Sequence, residues 1–187
     1  MAQTASNMLP LGTRAPGFIL PDTVSGKTMS LAELKSEAAT VIMFICNHCP
    51  YVKHVQQELA RLAKDYHPRG VAFIAISSND SIAYPQDAPE HMKTFAREAG
   101  FTFPYLFDET QEVARAYQAA CTPDLYIFDR DLRCVYRGQL DDSRPKNEVP
   151  VTGKDLRAAL DNVLAGKPVS AEQLPSIGCN IKWKPSC

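Results

Sequence analysis

The stretch that decides the fold is TVIMFICNHCPYV, residues 40–52. Its first half, Thr40 to Ile45, is an apolar run with β-branched residues, which is typical of a strand buried on both faces. Pro50 is tolerated only in the first turn of a helix, so a helix is expected to begin close to it. Apolar residues then recur at helical spacing as far as Tyr66, and residues 71–76 form a second apolar run. This order predicts a strand–helix–strand unit of a parallel or mixed sheet.

Two cysteines, in the pattern C-x-x-C, lie between the first strand and the helix. The first turn of a helix has unpaired N–H groups and the positive end of the helix dipole, so a thiolate there is stabilised and its pKa falls. We expect Cys46 at the N-terminal edge of the helix, facing solvent, where it attacks a disulfide. Cys49 is expected to be more buried and to resolve the mixed disulfide.

Two other interpretations of this pair remain open. Free cysteines are often buried as inert packing residues. Alternatively, Cys46, Cys49 and a histidine could bind copper or zinc. Structural zinc sites use four ligands, commonly as two close pairs, and the sequence has no second C-x-x-C. We therefore expect neither a metal nor another cofactor.

Composition limits the classes of function. The 187 residues suffice for one domain, 1–187, and 45% of them are hydrophobic while 22% are charged. The net charge of −1 and the lack of a basic block argue against a nucleic-acid partner. No apolar run reaches the roughly 20 residues of a membrane span, and the N-terminus has no signal-peptide pattern. A cytoplasmic location is expected, where six cysteines do not predict a set of structural disulfides.

The rest of the chain continues the alternation of strands and helices, which predicts an α/β fold with a central mixed sheet flanked by helices. Capping boxes are expected at Ser30 and Thr152. An antiparallel pair of strands is expected over 125–128 and 132–137. Residues 167–187 show no period and are expected to form an irregular tail. A short helix is predicted after Ser30, ending near residue 37. Further helices are predicted over 92–99 and 109–119, and a last helix is predicted after residue 153.

Additional motifs resemble a known family. Thr122 and Pro123 stand just before a predicted strand, and together with the C-x-x-C they resemble the thioredoxin fold. LGTRAPGFILPD (11–22) and LYIFDRD (125–131) resemble its alkyl hydroperoxide reductase/thiol-specific antioxidant, or peroxiredoxin-like, branch. The similarity covers about residues 9–166. It implies a thioredoxin-like fold with an N-terminal extension and a C-terminal tail. A cis-proline loop at Thr122–Pro123 would face the two cysteines and hold the substrate backbone.

The sequence departs from that family at the positions that assist peroxide binding. In peroxiredoxins the attacking cysteine aligns with Cys49, and a threonine or serine precedes it by three residues and a proline by seven. This chain has Cys46 and Ile42 there, and Pro123 in place of the family's arginine. The resemblance thus implies thiol chemistry without efficient peroxide reduction. Thiol peroxidase activity through Cys49 or Cys46 is the alternative.

The expected activity is that of a thiol–disulfide oxidoreductase with an antioxidant role. Its substrates would be protein or small-molecule thiols and disulfides, and a thiol would serve as electron donor. His48 is expected to donate a hydrogen bond, or a charge when protonated, to the Cys46 thiolate and so make the pair more oxidising. The sequence does not predict the oligomeric state.

The remaining cysteines are predicted to be auxiliary thiols or packing residues. Cys121 precedes the Thr-Pro pair directly, so a cis-proline loop would bring it close to the C-x-x-C, and it is the first candidate for an auxiliary thiol. Cys179 ranks second, because it lies in a tail whose path the sequence does not predict. Cys134 alternates with apolar neighbours and is interpreted as a packing residue. No role is predicted for Cys187.

Overall fold

The computed structural model describes residues 3–185. Its helices are α1 (Leu31–Leu34), α2 (Pro50–Tyr66), α3 (Pro89–Ala99), α4 (Glu112–Ala116) and α5 (Lys154–Leu164). Its strands are β1 (Gln3–Ala5), β2 (Ile19–Pro21), β3 (Thr28–Ser30), β4 (Ala39–Phe44), β5 (Val71–Ser77), β6 (Tyr105–Phe107), β7 (Cys121–Thr122), β8 (Asp124–Asp129), β9 (Cys134–Arg137) and β10 (Ile177–Asn180). Short 3-10 turns cover His67–Arg69 and Pro85–Asp87.

The central sheet has the strand order β6–β5–β4–β8–β9. Strands β4, β5 and β6 run parallel, whereas β8 is antiparallel to β4 and β9 is antiparallel to β8. Every residue of β4 is buried, as befits a central strand covered on both faces. The predicted α/β class with a central mixed sheet is therefore confirmed.

Alternate residues of the strands face two separate apolar cores. Val41 and Met43 of β4 pack into the core that α2, α3 and α5 close. Ile42 and Phe44 pack into the other core, which α1, α4 and the N-terminal segment close. Because the C-x-x-C follows β4 and leads into α2, its cysteines belong to the first of these cores.

Helix α4 is shorter than the helix predicted over 109–119. Gln111, directly before the helix, and Gln118, two residues after its end, have φ angles of +64° and +53°. A right-handed helix cannot continue through such angles, which belong to the left-handed region. The apolar spacing of this segment does not show where the backbone leaves the helix.

The start of α5 also differs from its prediction. The capping box expected at Thr152 is wrong, because Gly153, with φ of +67°, is the N-cap and no side chain caps the helix. The carboxylate of Asp141 instead accepts hydrogen bonds from the N–H groups of Thr152 and Gly153, at 2.7 and 2.6 Å. The capping box at Ser30 is confirmed.

The tail predicted to be irregular, 167–187, contains a strand. β10 lies between β1 and β7 in an antiparallel three-stranded sheet. Gly178 makes the close approach possible, because a Cβ there would lie 2.0 Å from the carbonyl oxygen of Thr122. The strand depends on partners far away in sequence, so its own residues show no pattern. Cys187 lies outside the described residues.

The longest helix, α2, has 17 residues and buries one face against the sheet. No helix in residues 3–185 combines the length and the apolar character that crossing a membrane requires.

Candidate active site

The two cysteines of the C-x-x-C lie in the loop that joins β4 to α2. Cys49 is the N-cap of α2, whose first residue is Pro50. Both side chains are buried, with Cys46 1% and Cys49 0% exposed. The structure thus corrects the expectation that Cys46 faces solvent at the helix terminus. Pro50 occupies the first helical position, so the partial positive charge of the helix N-terminus acts on Cys49.

Cys49 lies in surroundings that favour its thiolate. The thiol of Cys46 donates a hydrogen bond to it, which is the largest cause that lowers the pKa of Cys49. Burial opposes this effect, while the Cys179 thiol, the Thr122 hydroxyl and the N–H of Val52 add to it. The net result is a pKa well below the usual range of a cysteine. When protonated, Cys49 can donate to the carbonyl oxygen of Thr122, 3.1 Å away.

Cys46 has the opposite electrostatic character. Its hydrogen bond to Cys49 raises its pKa most, and burial and the negative charge of Asp87 raise it further. The hydroxyl of Thr122, 3.5 Å from the sulfur, opposes these effects. The pKa of Cys46 thus lies above that of Cys49, and Cys49 is the member of the pair that ionises first. All five cysteines in residues 3–185 are free thiols.

The structure gives His48 a partner other than the expected Cys46 thiolate. Its Nδ1 lies 2.6 Å from Oδ2 of Asp87. Its ring also stacks on that of Tyr84, with the centroids 5.5 Å apart and the planes within 5°. His48 therefore hydrogen-bonds to the carboxylate of Asp87, whose negative charge raises the pKa of Cys46.

Asp87 is the site residue that the sequence analysis missed. It is fully buried, and its carboxylate accepts hydrogen bonds from the N–H of Asn47 at 2.9 Å and from Nδ2 of Asn79 at 2.7 Å. Burial opposes its ionisation, but the hydrogen bonds, that of His48 foremost, hold the pKa below its usual value. A 3-10 turn places this carboxylate, and the sequence of the loop carries no spacing that would reveal its direction.

A metal ion fits this corner of the site poorly. The ligand atoms of Cys46, His48 and Asp87 all lie within 4.8 Å of one another, and each residue type can bind zinc. However, Nδ1 of His48 and Oδ2 of Asp87 are only 2.6 Å apart. Two atoms bound to one zinc ion at about 2 Å each lie about 3 Å or more apart. The geometry fits a hydrogen bond instead of a shared ion.

The Thr122–Pro123 peptide bond is cis and lies beside both cysteines. The position predicted for this loop is therefore correct. Its backbone is not free, however, because Thr122 pairs with Cys179 of β10 and Cys121 pairs with Asn180.

The structure places the two candidate auxiliary thiols, Cys121 and Cys179, in different surroundings. The thiol of Cys121 contacts the carbonyl oxygens of Pro123 at 3.5 Å and Ser176 at 3.8 Å. Cys179 pairs with Thr122, and its thiol is one of the groups that lower the pKa of Cys49. Cys134 is buried in the other core, which confirms its interpretation as a packing residue.

Replacing Asp87 by asparagine is expected to lower the pKa of Cys46, because it removes a nearby negative charge. A change of about one pH unit would speed alkylation of Cys46 about tenfold near pH 8. The measurement is mass spectrometry of iodoacetamide-labelled peptides in a Cys49→Ser background, which removes the coupling to Cys49. Asp80→Asn is the control, since that carboxylate lies in the same loop and accepts from Ile82. Equal rates in the two variants would contradict the assigned role of Asp87.

Comparison with known proteins gives a family match over most of the chain. The AhpC/TSA family model matches residues 11–137. A relative named "Putative peroxiredoxin" from Mycobacterium tuberculosis is 28% identical over 123 residues, which are 66% of this chain and 73% of that protein.

Solved structures also resemble this chain in fold. A crystal structure of an uncharacterised conserved protein from Geobacillus kaustophilus has a TM-score of 0.98 and 66% identity, and the match covers 100% of this chain and 99% of that one. The thioredoxin domain of a thiol-disulfide oxidoreductase from Bacteroides vulgatus has a TM-score of 0.59 and 17% identity, over 69% and 88% of the two chains. The second likeness concerns the fold alone, and it confirms the predicted thioredoxin-like architecture.

Proposed function

This chain belongs to the AhpC/TSA family, and on that premise we propose that it is a thiol–disulfide oxidoreductase whose redox pair is Cys46 and Cys49. The observation that carries the proposal is the position of both thiols beside the cis Thr122–Pro123 peptide, where the Thr122 hydroxyl lies 3.5 Å from the sulfur of Cys46 and the Thr122 carbonyl oxygen lies 3.1 Å from that of Cys49. One sulfur of the pair is ionised and can attack, while its neighbour is protonated and can resolve. An antioxidant role would follow from the repair of disulfides.

Cys49 makes the first attack in this proposal, a role that the sequence analysis gave to Cys46. The thiolate is the nucleophile in disulfide exchange, and the surroundings of Cys49 favour the thiolate. An electron pair of its sulfur forms a bond to one sulfur of the substrate disulfide. The substrate S–S bond breaks, and the released sulfur leaves as a thiolate.

Cys46 then resolves the mixed disulfide. Bonded to substrate, Cys49 no longer carries a charge, so the largest cause that raises the pKa of Cys46 is lost. Cys46 can then give its proton to the released thiolate and attack the sulfur of Cys49. The second substrate sulfur leaves as a thiolate, the substrate has gained two electrons, and Cys46 and Cys49 are joined by a disulfide. An external thiol donor returns the pair to its reduced form.

Thr122 and Pro123 position the pair in this proposal. The Thr122 hydroxyl lies 3.5 Å from the sulfur of Cys46, and the Thr122 carbonyl lies 3.1 Å from that of Cys49. Their expected role in holding a substrate backbone stays a prediction, because β10 already pairs with Thr122.

Thiol peroxidase activity is the second candidate, and one observation favours it. Cys49, the ionised thiol, stands at the position of the attacking cysteine in peroxiredoxins. The neighbour that donates to it is a thiol, Cys46, in place of the family's threonine or serine. A weaker donor there, without the family's proline and arginine, is expected to leave peroxide reduction slow.

The test uses the full-length reduced protein. It is offered a small-molecule disulfide or hydrogen peroxide in parallel, with dithiothreitol as electron donor. We expect disulfide reduction to be faster by about tenfold or more, and a bond between Cys46 and Cys49 in the oxidised protein by non-reducing peptide mapping. Faster peroxide turnover would favour the second candidate. Oxidation without a bond between these two cysteines would overturn the proposed pair.

A further inference from the structure

Strand β10 occupies the edge next to the cis-proline. In its antiparallel pairing with β7, Cys179 stands opposite Thr122. Gly178 packs so closely on the Thr122 carbonyl that any side chain there would collide with it. The tail of this chain thus lies where an extended peptide bound at the Thr122 edge would lie.

The residue that β10 brings to this position is a cysteine. Cys179 is 3% exposed and shares the first apolar core with Cys46 and Cys49. Cys179 pairs with Thr122, whose carbonyl oxygen lies 3.1 Å from the sulfur of Cys49. The thiols of Cys46 and Cys179 also both lower the pKa of Cys49. Cys49 therefore has two neighbouring thiols, one from the C-x-x-C and one from the tail.

We infer that Cys179 is a third redox-active thiol, which exchanges with Cys46 as the partner of Cys49 and so acts as an internal substrate of the pair. The inference rests on the proposed function, because it needs the disulfide between Cys46 and Cys49 as its starting point. Cys179 attacks the sulfur of Cys49, the new S–S bond forms, and the bond to Cys46 breaks. The electron pair of the broken bond stays on Cys46, which takes up the proton that Cys179 loses. The exchange needs no external oxidant or reductant.

The exchange moves the disulfide toward solvent. A cavity of about 480 Å³ is lined by Cys179 together with Pro50, Tyr51 and Arg144. Cys46 does not line this cavity, so an external thiol that enters it meets the tail sulfur and not Cys46. A disulfide between Cys49 and Cys179 would therefore be reduced faster than one between Cys46 and Cys49.

The first experiment oxidises the full-length protein with one equivalent of diamide and measures each disulfide by non-reducing peptide mapping. We expect a bond between Cys49 and Cys179 beside the bond between Cys46 and Cys49 in the wild type. The bond between Cys49 and Cys179 should become the main product in Cys46→Ser. Cys134→Ser is the control and should leave the wild-type distribution unchanged. Absence of the bond to Cys179 in both proteins would overturn the inference.

The second experiment follows reduction of the oxidised protein by glutathione. Cys179→Ala is expected to slow it about tenfold, while Cys134→Ser keeps the wild-type rate. Gly178→Ala should also slow it by displacing β10, whereas Gly17→Ala, with open space around its Cβ position, should not. Normal rates in Cys179→Ala, with a bond between Cys46 and Cys49 still formed, would overturn this inference alone. A wild type that forms no bond between Cys46 and Cys49 would overturn the proposed function as well.

Discussion

Cys49→Ser is expected to lower kcat/KM for disulfide reduction by about a thousandfold or more, because it removes the nucleophile itself. A serine hydroxyl in the same hydrogen bonds does not ionise near neutral pH, so no other group can start the reaction from this position. The measurement is steady-state reduction of a small-molecule disulfide by the purified full-length variant. Circular dichroism and a denaturation midpoint would show that the fold is retained.

The matched variant is Cys46→Ser, which keeps the attacking sulfur and removes the resolving one. With Cys179 also replaced by serine, so that the tail thiol cannot take over resolution, we expect it to react once with the disulfide and then to stall as a mixed disulfide on Cys49, seen by intact mass. Cys134→Ser, a buried cysteine of the other core, should turn over at the wild-type rate. If Cys49→Ser instead accumulates the mixed disulfide and Cys46→Ser does not react, Cys46 is the nucleophile, as the sequence analysis expected.

The fold could be predicted because its signals are local. The buried strand β4, helix α2 after Pro50 and strand β5 each show their apolar period within a few turns of chain. The resemblance of the segments 11–22 and 125–131 pointed to the same architecture. The ends of α4 and the start of α5 could not be predicted, since single backbone angles and the remote carboxylate of Asp141 decide them.

The site could be predicted only as a set of residues. The pair Cys46 and Cys49 and the Thr122–Pro123 loop were identified, but not which sulfur the helix stabilises. Proline is tolerated throughout the first turn, so Pro50 alone does not fix the helix start to within a few residues. That small difference moves the helix N-terminus from Cys46 to Cys49 and exchanges their expected roles.

Contacts between distant segments account for the rest of the site. Asp87 lies 41 positions after Cys46 in the sequence, and Cys179 lies 130 positions after Cys49. Loop geometry brings the first to the site, and strand pairing brings the second. Neither leaves a periodic signal in its own segment, so the sequence could show neither the carboxylate that acts on Cys46 nor the thiol that contacts Cys49.

A second large effect is expected from a buried carboxyl next to the cis-proline. Asp124 follows Pro123 directly, is fully buried, and accepts a hydrogen bond from the N–H of Ala120 at 3.1 Å. Burial is the main cause that raises its pKa from 3.8 to about 6. The folded protein therefore holds this proton at pH values where the unfolded chain has released it.

The consequence is a loss of stability as pH rises. Below about pH 4 the carboxyl is protonated in both states, and its burial carries no charge penalty. Between about pH 4 and 6 the unfolded chain ionises first, so the free energy of unfolding falls, and above pH 6 the loss is complete. A rise in pKa from 3.8 to about 6 corresponds to about 3 kcal/mol.

Asp124→Asn is therefore expected to raise the free energy of unfolding by up to about 3 kcal/mol above pH 6 and to change it little near pH 4. The amide is neutral at every pH, and its oxygen can still accept from Ala120. Urea denaturation at pH 4, 5, 6 and 7 measures the effect. The control is Asp142→Asn, because the hydrogen bond from Lys154 lowers the pKa of that exposed carboxyl and so gives the opposite sign. A variant less stable than the wild type at pH 7 would show that the Asp124 carboxylate is stabilised inside the protein, against the argument from burial.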